Sequence, residues 1–509
     1  MERIKRNLVA NFLGKAWLAA IGLSFIPLYI RFIGIEAYGL VGFYATLAAG
    51  LTLLDMGLST TLNRQMARYS ARPEDTQEMN DLLKTLESTY WIGVMLVAAT
   101  VVLVAPLIAR HWINAQNLSI STVTRVVTLM GMAVAFQMLF GFYSGGLLGL
   151  QRQVLYNAVN VGVITLRSGG AALVLWLLSP TVLAFFIWQV ISGFLGVVVV
   201  AFILKRLMPR GRGTFRAKLL GMVWPFAAGM SVSSILGLLL VQIDMVILSK
   251  LLSLEAFGYY ALAGTVAAGL QYLGNPVFTA YFPSFAQKVA AGDSLGLNTQ
   301  YHKAAQVLSI AVLPLQGLLV FFAPQVVLAW TANPTLVAHT HLLITLLSLG
   351  TSLNLLASIP YGMQLAHGWT SLAVWSNLVA VCVMTPSMLL AVRAYGAVGA
   401  ACMSVVLNAG YVLVYVPLMH RRILRGEERR WYFQDVIPSV VAVVIVGAVA
   451  RLVVNGTTPR LFLVMQLMAI YIFMLMGAVL VAPKVRTALL QYLRRKSPSC
   501  EIQPVRDFP

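Results

Sequence analysis

Charged residues are scarce in this sequence of 509 residues. Only 10% of the residues are charged, whereas 59% are hydrophobic, and the mean hydropathy is +0.83. A soluble globular chain carries about 25% charged residues, so a chain of this length with so few of them cannot cover a water-facing surface. The composition therefore excludes a soluble globular protein and indicates an integral membrane protein.

Cysteine and the common enzymatic motifs are also missing or rare. The three cysteines, Cys382, Cys402 and Cys500, form no CxxC pair and no spacing with histidine, which excludes a disulfide framework and a zinc site. The sequence holds no Gly-rich phosphate loop, no GxSxG and no HExxH. The acidic run at 73–84 is typical of a solvated loop with a helical turn. We therefore expect neither enzymatic activity nor a cofactor.

Acidic residues are few as well, and the 36 Lys and Arg against 16 Asp and Glu give a net charge of +20. Most of the basic residues lie between apolar stretches, for example at 205–218 and 420–430. Positive charge in membrane proteins concentrates in cytoplasmic loops. This bias explains the excess without a nucleic-acid partner.

Long apolar stretches are abundant, and a spanning helix needs roughly 20 such residues. The sequence predicts an all-α, polytopic bundle of about fourteen spans, near 7–30, 38–61, 89–109, 122–148, 156–178, 181–204, 222–249, 257–284, 304–330, 338–364, 370–392, 396–419, 436–455 and 460–482. An even number places both termini on one side, and the basic loops predict that this side is the cytoplasm.

An internal repeat accompanies these spans. Residues 31–60 align without gaps to 250–279, and ten of the 30 positions are identical, including Glu36/Glu255 and Gly39/Gly258. The offset of 219 residues contains six predicted spans, so the two halves are parallel. We expect a first six-helix lobe at 1–210, a second at 211–420, an appended helix pair at 421–483 and a basic cytoplasmic tail at 484–509. Repeats of this kind hold substrates at the interface of their halves, which favours transport.

Arg167 is the charged residue placed deepest, near the middle of the fifth predicted span. A central Arg costs at least about 2.5–3.5 kcal/mol, and its guanidinium suits phosphate. It is interpreted as an anion contact in a cavity, with Asn160 on the same span. The alternative is a buried partner for backbone carbonyls or a distant carboxylate.

Four further residues complete the predicted polar set. Lys15 and Asp55 lie at similar depths on adjacent spans, so the pair has either a structural or a gating and coupling role. Asn63 shares a helix face with Asp55 and Ser59, a polar stripe that must face protein or an aqueous cavity. Arg64, like Arg68 one turn further on, is either an anchor at the cytoplasmic surface or a first contact for an anionic headgroup.

Asp244 is the other carboxylate well inside a predicted span. It is either a proton or cation site, because burial ties the charge of a carboxylate to what occupies the site, or a partner of Lys250. No metal site is predicted.

Three runs, PLYIRFIGIEAYGL (27–40), LDMGLSTTLNR (54–64) and GLLGLQRQVLYN (146–157), resemble the polysaccharide-transporter branch of the multidrug/oligosaccharidyl-lipid/polysaccharide exporter superfamily. The likeness is to the Wzx-type flippases for O-antigen or exopolysaccharide repeat units, and it is clearest over the first 160 residues. Many members have twelve spans, so the appended pair departs from the pattern and resembles the fourteen spans of the lipid II flippases.

The resemblance implies two six-helix lobes around a cationic cavity. It implies alternating access for an undecaprenyl-diphosphate-linked oligosaccharide in the bacterial inner membrane. Membrane lipids, a polysaccharide polymerase and a chain-length regulator are the partners it implies. Two other functions stay open: a small-molecule cation antiporter on the same scaffold, and a membrane glycosyltransferase or polymerase.

Overall fold

The computed structural model describes residues 14, 17–52, 55, 57–70, 76–209, 211, 213–221, 242–454 and 459–487. The fold is built from α-helices. These are α1 (Ile26–Thr52), α2 (Leu58–Tyr69), α3 (Thr76–His111), α4 (Ile120–Gly149), α5 (Gln153–Leu177), α6 (Val182–Leu207), α7 (Leu254–Ala268), α8 (Gln271–Ala290), α9 (Ser294–Thr331), α10 (Pro334–Ala366), α11 (Ser371–Gly410), α12 (Val416–Arg422), α13 (Ile437–Val453) and α14 (Arg460–Leu480). Single π-helical turns, Tyr411–Tyr415 and Trp431–Val436, lead into α12 and α13.

The helices fall into two compact units. Unit 1 holds the described residues within Met1–Val266 and Val379–Met403, and unit 2 those within Ala267–Leu378 and Ser404–Pro509. In unit 1 the central helix is α4, which packs against α2, α3 and α6. In unit 2 the central helix is α9, which packs against α8, α10, α13 and α14. The lobe boundaries expected from the sequence stay a prediction.

Hydropathy of the observed helices confirms a multi-pass membrane protein. In the described part of the chain, ten helical segments are long and apolar enough to cross a membrane. One of them, Ser371–Arg422, has 52 residues and contains Gly396 with φ of 58°. At 1.5 Å per residue its length exceeds twice the thickness of the hydrocarbon core. It therefore corresponds to two of the predicted spans, joined at a left-handed glycine.

The helix bounds repeat with the period of the sequence. Adding 219 to the bounds of α3 gives 295–330, and α9 spans Ser294–Thr331; for α4 the sum is 339–368, and α10 spans Pro334–Ala366. Helices that share an offset over two consecutive elements support a duplicated six-helix unit.

The two copies of the repeat also touch inside unit 1. A Cβ added to Gly39 of α1 would lie 2.3 Å from the Leu254 carbonyl oxygen, and one added to Gly258 of α7 would lie 2.4 Å from the Ile35 carbonyl oxygen. Adding 219 to Gly39 gives Gly258, and adding 219 to Ile35 gives Leu254, so the repeat converts each of these contacts into the other. A Cβ added to Gly42 would lie 2.5 Å from the Cβ of Ala261, its own repeat mate. Reciprocal contacts with one self-contact are the signature of a local two-fold axis, as at an isologous interface.

Two predicted spans are interrupted helices. The span expected at 38–61 ends as α1 at Thr52 and resumes as α2 at Leu58, after Gly57 with φ of 67°. Its repeat mate, expected at 257–284, breaks between Ala268 and Gln271. Hydropathy does not register such breaks, since the residues on both sides are apolar. Discontinuous helices at matching places in two halves are typical of transporters.

The interpretation of 73–84 as a solvated loop is wrong for the described residues 76–84, which form the first turns of α3. Met79, Leu82, Leu83 and Leu86 are buried along one face, and the Asp81 side chain is fully buried. Apolar residues at spacings of three and four already indicate an amphipathic helix there.

Close helix packing in unit 1 gives the first prediction. A Cβ at Gly145 of α4 would lie 2.6 Å from the Ser59 carbonyl oxygen of α2, whereas Gly141 on the same helix has nothing within 4 Å. Gly145→Ala should destabilise the purified protein by about 1–3 kcal/mol, because backbone has to move. Both substitutions gain the higher helix propensity of Ala. Because the added methyl group of Gly141→Ala meets no other atom, this variant should be neutral or slightly stabilised. Thermal unfolding in detergent measures the difference, and equal melting temperatures would contradict it.

Candidate functional site

Arg167 lies on α5 and turns its side chain toward neighbouring helices of unit 1. Its Nε donates a hydrogen bond to Oε1 of Gln189 on α6, and its Nη2 donates to the Tyr44 hydroxyl of α1 at 2.7 Å. The guanidinium carbon lies 5.6 Å from the centre of the Tyr44 ring. Tyr44 in turn donates to Oε1 of Gln137 on α4 at 3.1 Å. Four helices thus supply one polar group, here named the Arg167 group.

The charge of Arg167 has no acidic partner in this group. Among the described residues, no carboxylate oxygen lies within 4.0 Å of its guanidinium. The two hydrogen bonds engage two of the five N–H donors of a guanidinium. Arg167 is half-buried. A positioned cation with donors to spare is the arrangement that binds an anionic group.

The neighbouring first span packs along α5. Trp17 Nε1 donates to Thr165 Oγ1 at 2.9 Å, and the Tyr29 hydroxyl donates to the Ser168 carbonyl at 2.7 Å. These bonds hold the stretch of α5 on either side of Arg167. Lys15, predicted to contribute a second cation, lies outside the described residues. Asn160 is half-buried on α5, two turns before Arg167.

Asp55 lies between the end of α1 and the start of α2, and not within a continuous helix. Its carboxylate accepts hydrogen bonds from the backbone N–H of Ser59 at 3.3 Å, from the Ser59 hydroxyl and from the buried Tyr90 hydroxyl of α3 at 2.7 Å. The Tyr90 oxygen is also 3.2 Å from the Met138 carbonyl. The structure therefore brings Asp55 to α2 and α3, as a polar group separate from that of Arg167.

The residues predicted to follow Asp55 lie on α2. Asn63 is half-buried, and its carbonyl oxygen would be 2.5 Å from a Cβ on Gly149 of α4. Arg64 is exposed on the same helix. The close backbone contact fixes Asn63, while the exposure of Arg64 agrees with a surface anchor and with contact to a headgroup alike.

Asp244 pairs with a tyrosine instead of a lysine. Its Oδ2 accepts a hydrogen bond from the Tyr260 hydroxyl of α7 at 2.9 Å, and its Oδ1 accepts from the Met245 N–H at 2.8 Å. Lys250, the partner that the sequence offered, donates to the His111 carbonyl. In the described part of the chain, no cluster of three or more His, Cys, Asp or Glu is arranged to hold a metal ion.

Sequence reasoning missed two buried acids on α3. Glu87 accepts a hydrogen bond from the Tyr143 hydroxyl at 2.6 Å and lies 2.7 Å from Lys205 Nζ of α6. Asp81 accepts from the backbone N–H of Thr214 at 2.6 Å and lies 2.8 Å from Arg216. Thr214 and Arg216 of the basic segment at 205–218 therefore contact α3. The seven-residue spacing of apolar residues along 79–86 was the signal for this helix.

Unit 2 contains a buried ionic cluster that the sequence analysis also missed. His302 of α9 is fully buried, with Nδ1 beside Oδ2 of Asp435 and Nε2 3.0 Å from Oε2 of Glu427. Gln306, one turn further along α9, donates to Asp435 Oδ1 at 2.8 Å and accepts from the Lys484 N–H at 2.9 Å. We name these five residues the His302 cluster.

The His302 cluster anchors the appended helix pair. Asp435 precedes α13 and Lys484 follows α14, so two residues of α9 hold the start of one helix and the end of the other. No sequence motif marks this cluster, because its members lie up to 182 positions apart.

Comparisons with known proteins agree with this architecture. The lipid II flippase MurJ in an inward closed conformation superposes with a TM-score of 0.70 at 11% identity, over 95% of this chain and 99% of that chain. An inward-facing multidrug resistance MATE transporter of the MOP superfamily gives 0.61 at 14% identity, over 82% and 94%. The MATE transporter DinF-BH in complex with R6G gives 0.58 at 14% identity, over 85% and 96%. No curated protein matches the chain.

These superpositions define the class: the chain has the fold of the MurJ and MATE membrane transporters. The family model described as polysaccharide biosynthesis protein matches residues 4–289, more than half of the chain. The chain belongs to this polysaccharide biosynthesis protein family. Fold and family together support the superfamily resemblance of the sequence.

The His302 cluster yields a stability prediction. Asp435→Ala should lower the free energy of unfolding by about 1–3 kcal/mol, because it leaves the buried side chains of His302 and Gln306 without their hydrogen-bond partner. Gln434→Ala, the exposed neighbour in the same turn, should change little. Thermal unfolding of both purified variants tests this, and equal stabilities would show that the cluster does not hold the helix pair.

The carboxyl group of Glu427 should make the stability of the protein depend on pH. Burial alone would raise the pKa of its carboxyl, but hydrogen bonds from Asn298 and His302 hold that pKa below its usual range. A lowered folded-state pKa stabilises the protein above the unfolded value of about 4.3. This contribution is lost as the pH falls through the folded-state pKa. The difference in melting temperature between wild type and Glu427→Gln should be largest near pH 7 and vanish on acidification below about pH 4. A difference independent of pH would contradict it.

Proposed function

We propose that this protein is a flippase for a lipid-linked saccharide. Its substrate is an undecaprenyl-diphosphate-linked oligosaccharide repeat unit, which it translocates by alternating access across the bacterial inner membrane. The product serves the synthesis of O-antigen, capsule or exopolysaccharide. The family match and the fold shared with a lipid II flippase support this proposal at the level of the substrate class.

One observation carries the proposal: Arg167 lies inside the helix bundle of unit 1 with no carboxylate of the described residues within 4.0 Å. Holding an Arg within the membrane is costly, and a structural Arg is usually paired with a carboxylate there. Tyr44 and Gln189 orient this guanidinium without neutralising it. A diphosphate supplies the missing negative charge, and its paired oxygens match the planar donor fork.

Translocation of this substrate requires a passage through the membrane and no chemical reaction. The diphosphate and sugar need a polar passage, while the polyprenyl tail can stay in the lipid. Moving the charge across the membrane is coupled to the potential at about 2.3 kcal/mol per elementary charge per 100 mV. Lys15, Asn160, Asn63 and Arg64 are proposed to extend the contacts of the headgroup.

The setting proposed for the chain follows from the substrate. Both termini lie in the cytoplasm, where the lipid-linked unit is assembled, and a polysaccharide polymerase and chain-length regulator receive it on the other side. Neither of these partners requires a catalytic step by the flippase itself.

A second candidate is a small-molecule cation antiporter. Asp55 and Asp244 favour it, because each is a carboxylate bonded to a tyrosine hydroxyl inside the bundle and carboxylates in such places bind cations or protons. A deletion strain that becomes sensitive to cationic drugs while keeping its polysaccharide would support this alternative.

Neutralising Arg167 tests the flippase. Arg167→Gln should reduce surface polysaccharide by on the order of 100-fold, because charge-assisted hydrogen bonds to the diphosphate are lost. Arg167→Lys should retain more activity, since it keeps the charge but loses the fork. Export is measured in a strain whose chromosomal copy carries the variant, together with the amount of protein in the membrane.

Arg125→Gln serves as the matched control, because Arg125 is an exposed residue of α4. It should export at the wild-type level. Wild-type export by Arg167→Gln would refute the role of this residue.

A further inference from the structure

The crossing of α1 and α7 in unit 1 is closely packed. Gly39 and Gly258 bring backbone against backbone, and Gly42 faces Ala261 on the local two-fold axis. The buried side chains of Leu254 and Phe257 lie against Gly39 and Gly42. Small residues let helices approach this closely, and a second set of contacts, which is polar, joins the same elements.

A strap formed by residues 111–117, directly after α3, binds the turn that precedes α7. The Leu254 N–H donates to the Asn114 carbonyl at 2.9 Å, and Asn114 pairs with Ser253 in a parallel bridge. The Asn114 side-chain amide donates to the carbonyls of Lys250 at 2.9 Å and Leu252 at 3.3 Å. Asn114 is therefore bonded on three sides to one turn of the second repeat.

Two more residues of the strap hold the same turn. Trp112 Nε1 donates to the Ser249 hydroxyl at 3.0 Å, and Lys250 Nζ donates to the His111 carbonyl. The Lys250 ammonium also lies 5.7 Å from the Trp112 ring centre.

The other end of the strap is fixed to α1 by a single acid. Glu36 is buried, and its carboxylate accepts from the Gln116 N–H at 2.6 Å, the Asn117 N–H at 3.0 Å and the Asn117 side-chain amide at 2.8 Å. Its repeat mate Glu255 accepts instead from Tyr259, one turn away on its own helix. The glycine contacts at the helix crossing are reciprocal, whereas Glu36 is bonded to the strap and Glu255 to its own helix.

We infer that the strap at 111–117 is a latch, which ties α1 to the turn before α7 in the state observed and releases that turn when the two helices separate. The inference rests on the proposed function, because alternating access is what demands the separation. It goes further by assigning part of the hold to Glu36, Asn114 and Lys250, in addition to the packing of the helix crossing. The strap lies on the side predicted to face away from the cytoplasm.

A disulfide across the latch tests whether release is required. Partners in a bridge lie about 4.7–4.9 Å apart, within the Cα range of 4.4–6.8 Å that a disulfide spans. Asn114→Cys with Ser253→Cys is built in a chain whose three native cysteines are replaced by alanine. Oxidation should lower export more than tenfold, and a reductant should restore it.

Ser119→Cys with Thr122→Cys is the matched control, because these side chains meet within the cap of α4 at 2.8 Å. Its oxidation should leave export unchanged. Wild-type export by a fully cross-linked 114–253 variant would overturn the latch while leaving the flippase in place.

A second measurement does not depend on transport. Spin labels on Gln116 and Leu251, whose side chains carry none of the latch bonds given above, report the distance across the latch in lipid nanodiscs. We expect a short and a longer population, with Glu36→Gln raising the ratio of long to short about tenfold through the loss of charge-assisted bonds. Glu255→Gln should leave the ratio unchanged.

A single short population in both wild type and Glu36→Gln would refute the latch. Failure of the proposed function would appear differently, as unchanged surface polysaccharide in a deletion strain. The distance measurement remains decisive for the latch in that case.

Discussion

The structure depends on one constraint: a bilayer interior offers no water, so each polar group within the bundle needs a partner from the protein. In unit 1, tyrosine hydroxyls supply several of these partners. Tyr44 orients Arg167, Tyr90 holds Asp55, and Tyr260 holds Asp244. A phenol suits this task because its ring packs as an apolar surface while its hydroxyl donates or accepts. In the described part of the chain these three side chains are thus held by hydrogen bonds to phenols and not by ion pairs with one another.

Much of the architecture was predictable because its causes are local. Long apolar runs reveal spans, and the 219-residue repeat predicts that α3 resembles α9. The helix break at Asp55 and the burial of Asp81 were not predictable in the same way. In both cases the determining contact, with Tyr90 in one and Thr214 in the other, comes from a distant part of the chain. Average hydropathy carries no information about such pairings.

The candidate site likewise has a part that the sequence predicts and a part that it does not. Arg167 was predictable since a guanidinium in the middle of an apolar run is costly wherever it points. That it points toward α1 and α6, with Gln189 and Tyr44 as partners, required coordinates. The His302 cluster left no trace in the sequence, because a histidine near a helix start is ordinary until Asp435 and Glu427 are brought to it. Ionic clusters assembled from remote positions are the features that sequence patterns represent least well.

The duplication distinguishes features that both repeats share from features that only one repeat has. Features shared by both repeats, such as the interrupted helices and the crossing of α1 with α7, follow from the duplication and would exist in any chain built this way. Features present in one half alone need a separate cause. Glu36 and Glu255 occupy equivalent positions, yet one is buried against the strap and the other bonds to a tyrosine of its own helix. The same carboxylate at equivalent positions therefore makes different contacts, because it accepts from whichever N–H or O–H groups the surrounding chain brings to it.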